Sequence, residues 1–233
     1  FTTEQYLATL DAHGIAFGVI AAASPYGDYN EYTLAATRRH RRLKGTVILE
    51  PTVERPVLDE MNAAGICGVR LPFISLKTLP DLDSFEWRRT LRRFRDLDWH
   101  VHLHLDGPRI PPVLEQLEAS GVKIVIDHFG RPDPALGIQC AGFQAVLRAV
   151  ERGRTWVKVS AAYRLGKPLA ATLGRELLRV VGPDRLMWAS DCPFVGHEKD
   201  VKFQETIDDV MAWVTDADHR RKIFGANALA FYF

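Results

Sequence analysis

A buried strand in the middle of the chain ends on two residues that can exchange protons. Residues 123–126 (KIVI) are apolar and largely β-branched, which predicts a short buried strand. Asp127 and His128 follow at once, and residues 129–132 (FGRP) then turn the chain. Titratable side chains are costly to bury without partners, and the carboxyl ends of strands are where α/β proteins bind ligands. Taken alone, the pair favours a ligand site and a structural histidine about equally.

Other predicted strands also end on side chains that can do chemistry. These residues are Ser24, Glu50, Arg70, His104 with Asp106, His128, Tyr163 with Arg164, and Asp191. Imidazoles and a carboxylate can hold a metal or polarise a carbonyl group, and a carboxylate can activate water. Arginines can bind an acid group through paired hydrogen bonds. Any one of these residues could be structural, but the whole set indicates hydrolysis of a small, anionic, ester-like substrate.

Seven strands that alternate with helices would position these residues. The predicted strands are residues 17–23, 46–49, 66–71, 100–105, 123–126, 156–160 and 186–189. Strictly alternating βα units form parallel sheets with right-handed crossovers. We therefore predict one domain over residues 1–233, an α/β fold of the (β/α)8 (TIM) barrel type with its first strand missing from this chain. An open doubly wound sheet is the alternative, but no Gly-rich phosphate loop follows an early strand.

Two helices have recognisable starts. Thr2 and Gln5 have the spacing of a capping box, which predicts a first helix ending near Gly14. Asp28 or Asn30 is expected to cap a second helix, which we predict to run through the basic residues 38–42 as far as residue 45. Such a basic run is more typical of a solvated helix face than of a nucleic-acid site.

Composition excludes several classes of function. The chain has 233 residues, 47% of them apolar, and 30 Lys plus Arg balance 29 Asp plus Glu. This balance predicts no nucleic-acid or membrane partner, whereas a homo-oligomer stays open. Cys67, Cys140 and Cys192 are scattered and predict no disulfide framework, which favours a reducing, cytoplasmic setting. The sequence begins with Phe1, and we expect the natural protein to start upstream.

Six segments carry a family resemblance that extends over essentially the whole chain. They are residues 24–27 (SPYG), 68–72 (GVRLP), 102–104 (HLH), 126–132 (IDHFGRP), 157–160 (VKVS) with Tyr163-Arg164, and 188–193 (WASDCP). With these segments the sequence resembles the amidohydrolase superfamily, in the branch of 2-pyrone-4,6-dicarboxylate lactonase and related lactone hydrolases. The resemblance implies a hydrolase that opens a carboxylated lactone, such as a 2-pyrone dicarboxylate or a muconolactone, with an activated water.

The resemblance also implies roles for individual residues. Asp191 matches the carboxylate that takes a proton from the attacking water, and His128 matches the imidazole that polarises the carbonyl or orients that water. Arg70 and Arg164 match arginines that hold substrate carboxylates. Ser24 and Tyr163 match further substrate-binding residues.

Metal binding is a separate expectation from the resemblance. His104 and Asp191 match metal ligands, which implies one divalent ion, with zinc favoured, although a related lactonase works without metal. The family also carries a His-x-His pair on its first strand, which we expect upstream of Phe1. Cys192 stands where a bulky Trp is common.

Two alternatives of another class remain. A metal-dependent decarboxylase of a related branch would use the same histidines, and a substrate screen would identify it. A non-catalytic barrel would keep the fold without the chemistry.

Overall fold

The computed structural model describes all residues 1–233, and at its centre lies one sheet of seven parallel strands. The strands are β1 (Gly18–Ile20), β2 (Leu43–Val47), β3 (Ile66–Leu71), β4 (His100–Leu103), β5 (Lys123–Ile126), β6 (Thr155–Val159) and β7 (Leu186–Trp188). Each strand pairs in parallel with its neighbour in the sequence. The outer strands β1 and β7 do not pair with each other. This confirms the prediction of a (β/α)8-type fold with one strand fewer.

Eleven α-helices flank the strands, and most of them cover the outside of the sheet. They are α1 (Thr3–Ala12), α2 (Glu31–Arg39), α3 (Arg55–Ala63), α4 (Phe85–Asp96), α5 (Ile110–Ser120), α6 (Ala141–Glu151), α7 (Ala162–Leu165), α8 (Lys167–Val181), α9 (Phe203–Met211), α10 (Ala217–Arg221) and α11 (Asn227–Tyr232). None of the helices has both the length and the apolar character that crossing a membrane requires.

Side chains along β3 and β4 alternate between an apolar face that packs against the helices and a polar face inside the sheet. On β4, Val101 and Leu103 belong to the main apolar cluster between sheet and helices. His100 and His102 lie at the alternate positions, and both are also buried. Arg70 on β3 pairs in register with His102. On β3 and β4 the period of two therefore places apolar residues against the helices and polar ones inside the curved sheet.

The C-terminal helix packs against the amino-terminal part of the sheet. The ring of Tyr232 lies 5.3 Å from that of His100, and the ring of Phe231 lies 4.5 Å from that of Trp156. Since these strand residues stand at or near the starts of β4 and β6, α11 covers this end. The polar residues at the opposite end are left to form the site.

The second helix ends earlier than the sequence suggested. The predicted capping box of α1 is present, but α2 stops at Arg39 and does not reach residue 45. His40 is extended, and Leu43 and Val47 are buried within β2. The basic run therefore leads into a strand, because burying these apolar side chains in the sheet overrides the local helix preference.

Candidate active site

Arg70, near the carboxyl end of β3, connects three other parts of the chain. Its Nη1 donates hydrogen bonds to the backbone oxygen of Ala22 and to Ser24 Oγ, each at 2.9 Å. Its Nη2 donates to Asp127 Oδ2 at 3.0 Å and lies 3.0 Å from His104 Nδ1. The Arg70 side chain is only 10% exposed. The guanidinium thus holds together the segments that follow β1, β4 and β5.

Asp127 is the carboxylate at the centre of this network. Its Oδ1 lies 2.5 Å from His102 Nε2 and 3.6 Å from Lys158 Nζ. Its Oδ2 accepts a hydrogen bond from Arg70. Burial alone would raise the pKa of Asp127, but the surrounding imidazoles and cations hold it well below its usual value. Asp127 is therefore ionised, and it balances two buried cations.

Lys158 brings the second of these cations from β6. Its Nζ lies 3.0 Å from His102 Nε2 in the interior of the sheet. Burial lowers the pKa of Lys158, while the charge of Asp127 opposes that change. Burial also lowers the pKa of His102 well below its usual value. His102 is thus a neutral imidazole, and its Nε2 lies against both the carboxylate of Asp127 and the amino group of Lys158.

His128 follows β5 and stands between two carboxylates. Its Nδ1 is 2.8 Å from Ser160 Oγ. Its Nε2 lies 3.7 Å from Asp191 Oδ1 and 4.0 Å from Asp127 Oδ2. Burial lowers the pKa of His128, against the effect of both carboxylates. A neutral imidazole held by Ser160 can orient a water molecule next to Asp191.

The backbone that carries His128 is a left-handed turn. Residues 128–131 all have positive φ, with values of 49°, 58°, 76° and 41°. Apart from Gly130, each of these residues pays about 1–2 kcal/mol for this conformation. The turn is held by hydrogen bonds from Gly130 N to Asp127 O and from Arg131 N to His128 O, and Phe129 within it is buried. Packing therefore stabilises a costly turn that fixes the position of His128.

Asp191 follows β7 with one carboxylate oxygen bonded and the other facing His128. Its Oδ2 accepts hydrogen bonds from Tyr163 OH at 2.6 Å and from Arg164 Nε at 2.8 Å. Burial raises the pKa of Asp191, but His128 and these two hydrogen bonds outweigh burial and lower it. Asp191 also has a positive φ of 61°. Its ionised Oδ1 is the atom best placed to accept a proton.

Most of the predicted site residues are joined by these contacts. Those brought together are Ser24, Arg70, His104, His128, Tyr163, Arg164 and Asp191. Asp106 instead lies 3.5 Å from Arg131 Nε, in a partly exposed pair. Glu50 lines a separate open groove of about 340 Å³ beside α2 and α3. The roles of the joined residues stay predictions.

Three residues that this network depends on were given no role from the sequence. They are His102, Lys158 and Ser160, which contact Asp127 or His128. A signal was available for the first two. Each is a polar residue between two apolar residues of its strand. Since the apolar neighbours face the helices, the polar side chain must point into the sheet. The contact of Ser160 had no such signal, since it depends on the turn after β5.

Comparison with known proteins identifies the family. Residues 1–233 match the family described as Amidohydrolase. The chain belongs to this family. It is 32% identical to a 4-sulfomuconolactone hydrolase of Hydrogenophaga intermedia, over 96% of this chain and 77% of that protein.

Two solved structures are similar to this amidohydrolase in both sequence and fold. A candidate 2-pyrone-4,6-dicarboxylic acid hydrolase of Pseudomonas putida is 37% identical, with a TM-score of 0.92, covering 98% of this chain and 86% of that one. A second candidate 2-pyrone-4,6-dicarboxylic acid hydrolase, from Acinetobacter baumannii and with citric acid bound, is 30% identical, with a TM-score of 0.93. The match covers 99% of this chain and 88% of the Acinetobacter baumannii chain.

One cluster in the amidohydrolase could hold a metal ion by its spacing. His104, Asp127 and His128 each offer a ligand atom, and these atoms lie within 4.8 Å of one another. Asp191, which the resemblance paired with His104, is not in this cluster.

Two buried cations oppose metal binding at this cluster. Arg70 Nη2 contacts both His104 and Asp127, and Lys158 is 3.6 Å from the carboxylate of Asp127. Two like charges 4 Å apart repel by about 4 kcal/mol at an effective dielectric constant of 20. In this arrangement the donor set does not fit a divalent cation, because a guanidinium already lies against two of its three members.

The charge balance around Asp127 leads to a stability prediction. Asp127→Asn keeps the shape of the side chain but leaves Arg70 and Lys158 buried without a counter-charge. We expect the free energy of unfolding to fall by roughly 3–5 kcal/mol, the usual cost of breaking a buried ion pair. Urea unfolding measures this change.

Asp98→Asn is the matched control for that variant. Asp98 pairs with Lys123 at 2.6 Å but is 79% exposed, and such surface pairs contribute less than about 1 kcal/mol. Equal losses from the two substitutions would show that Asp127 does not balance buried charge.

Proposed function

We propose that this amidohydrolase is a lactone hydrolase whose substrate carries acid groups, as 2-pyrone dicarboxylates and muconolactones do. The observation that carries the proposal is the pair formed by Asp191 and His128, 3.7 Å apart, with the side chain of Arg164 beside it. The names of its relatives support the same reaction, because they are hydrolases of a sulfomuconolactone and of 2-pyrone-4,6-dicarboxylic acid. Bound citric acid in one relative supports an affinity for carboxylates.

The first step assigned to the site is activation of water. The attacking water lies between Asp191 Oδ1 and His128 Nε2, the two facing atoms of the pair. Asp191 takes one proton from this water as its oxygen forms a bond to the lactone carbonyl carbon. His128, held through its Nδ1 by Ser160, orients the water toward the carbonyl group. The tetrahedral intermediate then collapses, the ring C–O bond breaks, and the proton on Asp191 passes to the ring oxygen.

Binding of the substrate's acid groups falls to the more accessible arginines. The side chains of Arg164 and Arg131 are 25% and 26% exposed, whereas that of Arg70 is 10% exposed and uses both terminal nitrogens internally. Arg164 Nη1 and both terminal nitrogens of Arg131 make no hydrogen bond within the chain, so these groups can donate to a carboxylate without giving up the contact between Arg164 and Asp191. Tyr163, beside Arg164, and Ser24, beside Arg70, supply neutral hydrogen-bonding groups at the same end of the sheet.

The cellular setting and the need for metal are part of the same proposal. Cys67, Cys140 and Cys192 are all free thiols, which supports a reducing, cytoplasmic setting. The buried cations Arg70 and Lys158 support catalysis without a divalent ion. Zinc, which the resemblance favours, is the metal to test.

Asp191→Asn is the variant that tests the reaction itself. The amide keeps the shape of Asp191 but cannot accept the proton of water, so we expect kcat for an acid-bearing lactone to fall by roughly a hundredfold or more. KM should change much less than kcat, because Arg131 and Arg164, to which acid-group binding is assigned, both remain in the variant. Loss of ultraviolet absorbance on ring opening measures the rate. Asp200→Asn, an exposed aspartate in the same segment after β7, is the control. Near-normal turnover by Asp191→Asn would remove Asp191 from the mechanism.

The metal prediction needs a chelation experiment on the unmodified protein. After dialysis against a chelator and removal of the chelator, we expect turnover to be unchanged and zinc content to be far below one ion per chain. Addition of zinc should not raise kcat. Loss of activity on chelation, restored by one equivalent of zinc, would contradict metal-independent catalysis.

A further inference from the structure

The two ring nitrogens of His104 lie in different surroundings. Nδ1 is 3.0 Å from Arg70 Nη2, whereas Nε2 is buried and has no hydrogen-bond partner. A guanidinium has only donors, so Nδ1 must be the acceptor in this contact. A neutral imidazole that accepts at Nδ1 carries its hydrogen on Nε2. The Arg70 contact therefore sets the tautomer of His104.

Arg70 has little freedom to release this constraint. Its other contacts to Ala22 O, Ser24 Oγ and Asp127 Oδ2 are all 2.9–3.0 Å long. The positive guanidinium 3.0 Å from Nδ1 also disfavours a second proton on the His104 ring. The backbone of His104 is also fixed, since its N donates to Leu71 O and its O accepts from Ile74 N.

A buried N–H without an acceptor costs about 1–3 kcal/mol, a cost that a ligand oxygen can remove. The ring of His104 meets that of His128 edge to face, with 5.3 Å between centroids. The unpartnered donor thus belongs to a ring beside the imidazole that orients the water. Preorganised donors of this kind stabilise charge that develops in a transition state.

We propose that His104 donates its Nε2 hydrogen to the lactone carbonyl oxygen, and that Arg70 is a positioning residue that fixes this tautomer. The inference rests on the proposed function. As water adds to the carbonyl carbon, the C=O electron pair moves to the carbonyl oxygen, which accepts the hydrogen bond from His104. Collapse returns that electron pair, breaks the ring C–O bond and releases a hydroxy or enol acid. His104 keeps its proton throughout.

This role differs from both roles that the resemblance implied. A metal ligand at Nε2 would need that nitrogen deprotonated, which the Arg70 contact opposes. A substrate clamp at Arg70 would need the paired hydrogens of a free guanidinium edge, but both terminal nitrogens are engaged and only the single Nε hydrogen has no partner. His104 and Arg70 instead act as one unit, a donor and the group that orients it.

The tautomer can be measured directly in the unmodified protein. Nitrogen-15 NMR of histidine-labelled protein should show His104 neutral, with hydrogen on Nε2, and His104→Gln identifies its signals by their loss. Arg70→Met should lose this preference, whereas Ser24→Ala, which keeps the Nη2 contact, should retain it. Hydrogen on Nδ1 of His104 in the unmodified protein would overturn the inference.

A pair of substitutions at His104 tests the role in catalysis. His104→Leu removes the donor, and we expect kcat to fall by roughly 10²–10³-fold with little change in KM. His104→Gln keeps an N–H near the position of Nε2 and should recover at least tenfold of that loss. Equal losses in both variants, or a rise in KM alone, would overturn the donor role.

The proposed function and the donor role of His104 can fail separately. If the unmodified protein opens no acid-bearing lactone, the proposed function fails and the donor role fails with it, whatever the tautomer. If it opens such a lactone but His104 carries its hydrogen on Nδ1, only the inference fails. Circular dichroism of each variant confirms that it is folded.

Discussion

The site depends on one buried carboxylate, Asp127, that balances two buried cations. Arg70 and Lys158 could not remain inside the sheet without this charge, because burying an unpaired cation is costly. With Asp127 in place, Arg70 can extend past it to Ser24 and His104 and set the orientation of both. Asp127 therefore has a structural role, and through Arg70 it also sets the orientation of the side chains that act on the substrate. It also leaves Asp191 as the carboxylate available for proton transfer.

The position of this network follows from the period of two along parallel strands. Apolar side chains such as Val101 and Leu103 point toward the helices, so His102 on the same strand must point into the sheet. Turns after β5 and β7 then place His128 and Asp191 with positive φ. Such backbone strain collects at functional sites, where packing holds it in place. Here it fixes two groups that act on the same water.

Much of this could be predicted from the sequence, for reasons that particular residues show. The strand at residues 123–126 was predicted with the bounds that β5 has, because its β-branched run ends sharply on Asp127. The predicted end of α2 was wrong, because the burial of Leu43 in the sheet overrode the local preference of the basic run for helix. The internal role of Arg70 could not be predicted either. Its bond to Asp127 joins residues 57 positions apart, a distance that only the fold closes.

The central claim is that this end of the sheet adds water to a lactone carbonyl, and isotope labelling tests it most directly. The protein is incubated with an acid-bearing lactone in water enriched in oxygen-18, and the product is analysed by mass spectrometry. We expect one labelled oxygen per product molecule, located in the new carboxylate, and no release of carbon dioxide. Label on the alcohol carbon, or carbon dioxide without labelled acid, would contradict the account.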